Sequence, residues 1–480
     1  MEYSQIEPQN IWKNFAKLNS VPRPSKKEER VIAFIKKFGE DLGLETLVDE
    51  VGNVIIRKPA TPGMETKAPI VMQSHLDMVC QKNNDVEFDF ETQGIQMYVD
   101  GDWVKAKGTT LGADNGLGVA TIMTILESSD IPHPQLEALF TIDEETGMTG
   151  ALGLKGGLLN GEILLNLDTE EDDEIDIGCA GGVDVTATGE FSTTPNISEA
   201  LLISIKGLQG GHSGMDIDKG FGNANKILGR FLFAGLSQNL EIISIDGGGL
   251  RNAIPREAKA IVSTNDNSAY QTKFEILKQE ILEEFSTIEE HLTIELEITT
   301  STENKISAED SKKVIFAINS AHNGVFRMSP DVPGLVEASN NVARIELNDG
   351  KIKILNLTRS SVESSKEQVA QQLQSAYDAN GLTTSFSGGY PGWKPKPEAE
   401  IIKIMTNLYE KNFGDKPNVV ACHAGLECGI LGTNYPEMEM VSFGPTIKGA
   451  HSPDERASIS SLQKFWKYLQ DILMHIPDKK

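Results

Sequence analysis

Three short, almost wholly apolar runs, each ending against polar residues, restrict the fold more than any other feature of the chain. Residues 68–74 (APIVMQS), 136–142 (LEALFTI) and 163–167 (ILLNL) are shorter than core helices and read as buried strands. Helical spacing of apolar positions over 28–43, and again over 117–127 after a glycine-rich turn, alternates with them. That alternation is the pattern of an α/β layered domain over residues 1 to about 180.

The texture changes at 178–182 (GCAGG), which reads as a hinge. From 184 to 384 the chain is rich in Thr, Ser, Ile and Glu, with strand-like runs and amphipathic helices. Two stretches rhyme: 201–206 leads through a loop with His212 to a helix over 223–233, and 353–357 leads through a loop with Arg359 to a helix over 365–376. Two copies make a weak tandem duplication, not a solenoid. After the Gly/Pro/Trp-rich stretch 387–397 the α/β texture returns and ends in a helix over 460–474. At 480 residues the chain is too long for one core. The expected architecture is a discontinuous α/β catalytic domain, 1–183 and 385–480, with a mixed sheet flanked by helices. An α+β lid domain, 184–384, is inserted into it.

Composition removes several functions. Seventy acidic against 44 basic residues give a net charge of −26, which argues against nucleic acid as a partner. No apolar stretch approaches the roughly 18 residues that span a bilayer, and the N-terminal MEYSQIE has no signal-peptide pattern, so no membrane partner is expected. Four scattered cysteines (Cys80, Cys179, Cys422, Cys428) without a Cys-x-x-Cys pair suggest a reduced, cytoplasmic protein. Cys80 reads as a small buried residue, not as a nucleophile.

Five places put metal-type ligands beside strand ends or glycine turns. His75-Leu-Asp77 follows the first apolar run, with both side chains on one face, so His75 can ligate while Asp77 orients its ring. Asp114 lies among glycines in LGADNGLG, as a ligand or as the N-cap of the next helix. Asp143-Glu144-Glu145 follows the second run; adjacent carboxylates there invite one to bind a cation and one to move protons, unless the turn is merely solvated. Asp168 ends the third run, whereas the acidic stretch 170–174 behind it reads as a solvated loop. His451 sits in GAHSPDE before a helix. Two imidazoles and three carboxylates suit two divalent ions such as Zn, Co or Mn. One shared carboxylate would hold them ~3.5–4 Å apart, with a water between them as nucleophile.

With these motifs in order, the sequence resembles the M20 metallopeptidase family, most closely its aminoacyl-histidine dipeptidases. The matching stretches include SHLDMV (74–79), GTTLGADNGLG (108–118), LFTIDEETGMTGA (139–151), LNLDTEE (165–171) and GGHSGMDI (210–217). They continue through RNAIPRE (251–257), LTRSS (357–361), HAGLECG (423–429) and FGPTIKGAHSPDE (443–455). The resemblance implies two divalent ions per subunit, Zn in the first place with Co or Mn as substitutes. His75, Asp114 and Asp168 would hold one; Asp114, Glu145 and His451 would hold the other, with Asp114 bridging and a cis peptide after it. Glu144 would be the general base and Asp77 the residue that holds the His75 ring.

In the insert, His212 alone reads as a solvated loop residue, but the resemblance implies a donor to the tetrahedral oxyanion. Smaller-lid relatives borrow this histidine from a second subunit, so a homodimer or the tandem lid is expected to bring it over the metals. Asn252 and Arg359 are candidates for the substrate's C-terminal carboxylate, with Arg251 and Arg256 as competitors. Gly425, together with His423 and Glu427, lies in the segment most particular to the dipeptidase group, as part of a pocket or as a structural turn. The implied activity is hydrolysis of unblocked dipeptides, Xaa-His foremost. A tripeptide aminopeptidase, an N-acyl amino-acid deacylase and an inactive binding protein of the same fold are the alternatives.

Overall fold

The computed structural model describes residues 5–301 and 303–479. The chain divides into two compact units, one of Met1–Gly178, Pro395–Ala421 and Leu426–Lys480, the other of Cys179–Lys394 and Cys422–Gly425.

In the first unit the three apolar runs become Ile70–His75, Leu136–Thr141 and Ile163–Asn166, buried along their whole length. With Glu439–Ser442 they form the parallel centre of an eight-stranded mixed sheet, in the spatial order 136–141, 70–75, 163–166, 439–442. Antiparallel strands Val54–Lys58 and Glu45–Val48 extend it on one side, and Glu174–Cys179 pairs with Glu439–Ser442 on the other. Parallel strands all point their carboxyl ends to one edge, where α/β sheets build their sites. The helix Ala113–Glu127 carries acids only at its two ends and is buried nearly all round, packed between the helix Gln9–Asn19 and the strand Ile70–His75. A Cβ on Gly118 would run into Ser74 Oγ and Asn115 Oδ1, so glycine lets this helix approach the strand end.

The second unit is a nine-stranded sheet whose pairings are all antiparallel. Its helices Ala224–Ala234, Asn267–Glu284, Ala308–Ser320 and Glu363–Asp378 share one core with it: Phe231, Phe274, Ile315 and Leu373 meet Leu201, Ile203, Val262 and Ile354. Side chains of Asn223, Asp266 and Ser307 cap the first three of these helices.

Two expectations are corrected here. Arg359 is not in a loop, because the strand Lys351–Ser360 runs through it and pairs Arg359 with Gly182. Residues 356–360 are all buried, and the chain leaves the strand only after Ser360. His212 likewise lies on a two-residue strand, opposite Ala253. Among the described residues, no helix is long and apolar enough to cross a membrane.

Candidate metal centre and substrate residues

The strand ends of the first unit converge on Asp114. His75, the last residue of its strand and 1% exposed, has Nε2 3.0 Å from Asp114 Oδ1 and 3.5 Å from Asp168 Oδ1. His451 lies between the strands Ile447–Lys448 and Arg456–Ser458 with φ 61°; its Nε2 is 3.2 Å from Asp114 Oδ2 and 3.1 Å from Glu145 Oε2. Each oxygen of Asp114 therefore faces a different imidazole, and each imidazole faces a second carboxylate. The capping alternative for Asp114 fails, because Gly112 is the residue before the helix and the Asp114 carboxylate turns to the two histidines. The peptide bond between Asp114 and Asn115 is cis. Asn115 Nδ2 donates to Leu167 O at 2.7 Å and to Asp168, which ties the two ligand segments.

Asp77 organises the neighbouring turn. Its Oδ1 lies 3.3 Å from His75 Nδ1 and accepts the Glu144 backbone N–H at 3.0 Å; Oδ2 accepts from Glu145 N at 3.2 Å and Ser25 Oγ at 2.7 Å. Burial opposes the charge of Asp77, but His75 and these donors hold its carboxyl down at about 2. Burial also opposes a charged His75, yet Asp168, Asp114 and Asp77 raise its pKa well above the ordinary value. Asp114 and Glu145 push His451 up to about 11. Glu144 is raised well above the carboxylate range, by burial first and by the charges of Asp168, Glu427 and Glu145. Burial pushes the Cys80 thiol up to about 11, which makes it a poor nucleophile.

The donor set fits a pair of divalent cations. Ligand atoms of His75, Asp114 and Glu145 lie within 4.8 Å of one another, and Glu145 Oε1 is buried without a hydrogen-bond partner. Imidazole and carboxylate together suit Zn, Co or Mn.

The surroundings of several residues near this centre differ from, or go beyond, what the sequence implies. Glu170, expected in a solvated loop, is half-buried, and burial with Asp114 and Asp168 nearby pushes its carboxyl up to about 8. Glu427 is fully buried and accepts from Gln73 Nε2 and Thr141 Oγ1, both at 2.6 Å. Arg23 and Glu455, also buried, hold the backbone around Asp114. Nothing local in the sequence signals Arg23 or Glu455 in this role.

The second unit gathers a separate group. His212 Nδ1 accepts the backbone N–H groups of Met215, at 3.2 Å, and Gly214, at 3.3 Å, so the ring proton is on Nε2. Burial and the Arg359 charge lower its pKa, which favours this neutral donor form. The backbone of Ser213 donates to Asn252 O at 2.8 Å, and Asn252 itself is exposed. Arg359 is buried, with Nη1 on Tyr390 Oη at 2.9 Å and Nε unpartnered. Arg251 is committed elsewhere: it binds Asp184 at 3.1 Å, Thr186 Oγ1 at 2.7 Å and Asn356 O at 2.9 Å. Arg256 gives Nε to Leu208 O and is exposed. His423 Nε2 pairs with Ser339 Oγ at 2.8 Å, and burial, reinforced by Arg359, depresses it to about 3. Gly425 is half-buried in the segment between the strand Asn418–Cys422 and the helix Glu427–Asn434.

A parallel-centred sheet ending in paired imidazole–carboxylate sets defines a metallopeptidase class, and the chain belongs to peptidase family M20/M25/M40, whose profile matches residues 71–475. Over 488 aligned residues, 100% of both chains, it is 44% identical to the cytosol non-specific dipeptidase of Escherichia coli (strain K12). It is also 44% identical to the aminoacylhistidine dipeptidase of Vibrio alginolyticus, whose crystal structure superposes with a TM-score of 0.96 over 100% of this chain and 99% of that one. The aminopeptidase PepT of Bacillus cereus shares the fold at 16% identity and a TM-score of 0.57, covering 98% of this chain and 99% of that one.

Proposed function

We propose that this protein is a di-metal dipeptidase that hydrolyses unblocked dipeptides, with Xaa-His dipeptides such as β-alanyl-histidine preferred. The observation that carries the reading is Asp114, whose two oxygens face His75 and His451, each backed by its own carboxylate. The 44% identity to two chains named as dipeptidases supports the substrate class.

His75, Asp114 and Asp168 would hold one ion, and Asp114, Glu145 and His451 the other. The pair, when bound, supplies Lewis-acid polarisation of the scissile carbonyl and a lowered pKa for water. Glu144 takes the proton of the attacking water and returns it to the leaving amine; the burial that raises its pKa suits a group that must both accept and release a proton. Asp77 fixes the His75 ring and the backbone of Glu144. His212 would offer its Nε2–H, as a neutral donor, to the developing oxyanion. Arg359 takes the substrate carboxylate, with Asn252 and Gly425 beside the same substrate. The second unit is accordingly the substrate-recognising lid, 184–384 in outline, and 1–183 with 385–480 the catalytic domain. A cytoplasmic homodimer using Zn completes the proposal.

The test is turnover after chelation and refilling with Zn, Mn or Co, on β-alanyl-histidine, Leu-His, a tripeptide and an N-acetyl amino acid. Metal-dependent cleavage led by the Xaa-His substrates is expected. Tripeptide or N-acetyl substrate turnover far above that of the dipeptides overturns the assignment.

A further inference from the structure

We propose that Glu455 and Arg23 form a buried clasp that positions the backbone of Asp114 and thereby sets the affinity of both halves of the metal centre. The inference rests on the di-metal reading above and adds two residues whose side chains bind the backbone around the ligands and not the ligand atoms themselves.

The segment Leu111–Asp114 leads into the helix through non-helical dihedrals at Asp114 and Asn115, so its amides have no helical partners, and Gly112 has no side chain to bind them. Glu455 supplies the cap from 343 residues away. Its Oε2 accepts from Leu111 N at 2.7 Å and Gly112 N at 2.9 Å, and its Oε1 accepts from Ala113 N at 2.7 Å and Asp114 N at 3.3 Å. Four successive amides thus converge on one carboxylate that is 2% exposed. Arg23, 1% exposed, closes the arrangement from the other side. Its Nη2 donates to Gly112 O at 2.6 Å, and its Nη1 to Leu76 O at 3.1 Å and Asp77 O at 3.2 Å. One guanidinium therefore joins the segment after His75 to the segment before Asp114. Buried charges are costly unless paired; the Glu455 carboxylate and the two terminal nitrogens of Arg23 are bound mainly by the backbone that carries the ligands, with Asn19 Oδ1 on Arg23 Nη2 at 3.0 Å, while Arg23 Nε has no hydrogen-bond partner.

The clasp differs from an ordinary support in what it couples. Glu455 lies four residues beyond His451 on the same turn, which is closed by Glu455 N donating to Ser452 O at 3.1 Å. This turn brings an imidazole to Asp114 Oδ2 with one end and fastens the Asp114 backbone with the other. Because Asp114 faces both imidazoles, loosening it weakens both ions, whereas removing His451 weakens one. In Glu455→Gln one oxygen becomes an amide nitrogen that points its own N–H groups at two donors. In Arg23→Lys a single ammonium cannot reach both segments.

The experiment titrates Zn into chelator-stripped protein against a chromogenic chelator, comparing wild type, E455Q, R23K and H451A, with circular dichroism and melting curves as fold controls. Hydrogen exchange of the Leu111–Asp114 amides is followed in metal-free wild type. Two ions in wild type, 10–100-fold weaker binding of both in E455Q and R23K, loss of one in H451A, and slow exchange of these amides are expected. At saturating Zn the KM of both clasp variants stays near wild type. Wild-type affinity in E455Q and R23K, or fast exchange of the four amides in the wild type, overturns the clasp. Should E455Q fail to fold, R23K and the wild-type exchange pattern decide. Wild type that binds no ion overturns the metal reading itself, a result distinct from failure of the clasp.

Discussion

The backbone N–H of Glu144 donates to Asp77 Oδ1 at 3.0 Å, and the same oxygen lies 3.3 Å from His75 Nδ1. One carboxylate oxygen thus sets both the ring that would hold an ion and the turn that carries the proposed base. Asp77→Ala is expected to lower metal affinity about 10–100-fold, as loss of a ligand-orienting partner does. It should also lower kcat at saturating metal, because the turn at Glu144 is released. Metal titration and kcat, measured on one preparation, check both effects; full recovery of kcat by added metal would limit Asp77 to the ring.

Glu144 is expected to matter for turnover and not for occupancy. Glu144→Gln keeps the size and the backbone bond to Asp77 but removes the proton acceptor. A general base contributes about 10²–10⁴-fold, so kcat should fall by that range while elemental analysis still finds two ions per chain.

Arg359 and Arg251 are expected to separate recognition from stability. Arg359→Lys keeps the charge and loses the planar fork, so KM for free dipeptides should rise by about 10-fold with kcat little changed. The same variant should discriminate less against a dipeptide amide. Arg251→Ala instead removes contacts to Asp184, Thr186 and Asn356, and its effect should appear in the melting temperature. An unchanged KM in Arg359→Lys would take this residue out of substrate binding.

His423 is expected to make the second unit acid-sensitive. Its folded pKa, about 3, lies below the ordinary value of 6.5, so the unfolded chain takes up a proton that the folded chain refuses. Stability contributed by the neutral ring is intact above pH 6.5 and is lost as pH falls from there toward 3. The loss is up to about 1.4 kcal/mol per pH unit for one proton. Denaturant titrations at pH 7 and 5 should show a smaller acid-induced loss in His423→Gln than in wild type; equal losses would refute the assignment.

What the sequence discloses about this site depends on how local the signal is. His75, Asp114, Glu145, Asp168 and His451 each follow an apolar run or a glycine turn, and the structure brings all five together. Arg359 reads as a loop residue because Ser360-Ser361 follows it, whereas the strand runs through to Ser360. Glu170 reads as solvated because it opens an acidic run, and only the packed strand ends reveal its burial. Glu455 and Arg23 left no trace, since a carboxylate that binds backbone N–H groups and an arginine that binds carbonyls pair with no particular residue type. Glu427 depends on Gln73 and Thr141, which are near it only after folding.

The pairing of Ile163–Asn166 with Glu439–Ser442 carries a consequence for synthesis. A ribosome releases the first partner, then all of Cys179–Lys394, before the second exists. At ~5–20 residues per second, the ~270 intervening residues take tens of seconds. For that interval the nascent sheet holds an open edge strand, Ile-Leu-Leu-Asn, at its future centre, the kind of surface that invites wrong partners. The second unit can complete most of its own sheet meanwhile, because all its strands lie between Cys179 and Lys394. Newly made chains arrested before residue 439 should therefore be the form that chaperones bind, with the later unit already folded and the earlier one waiting.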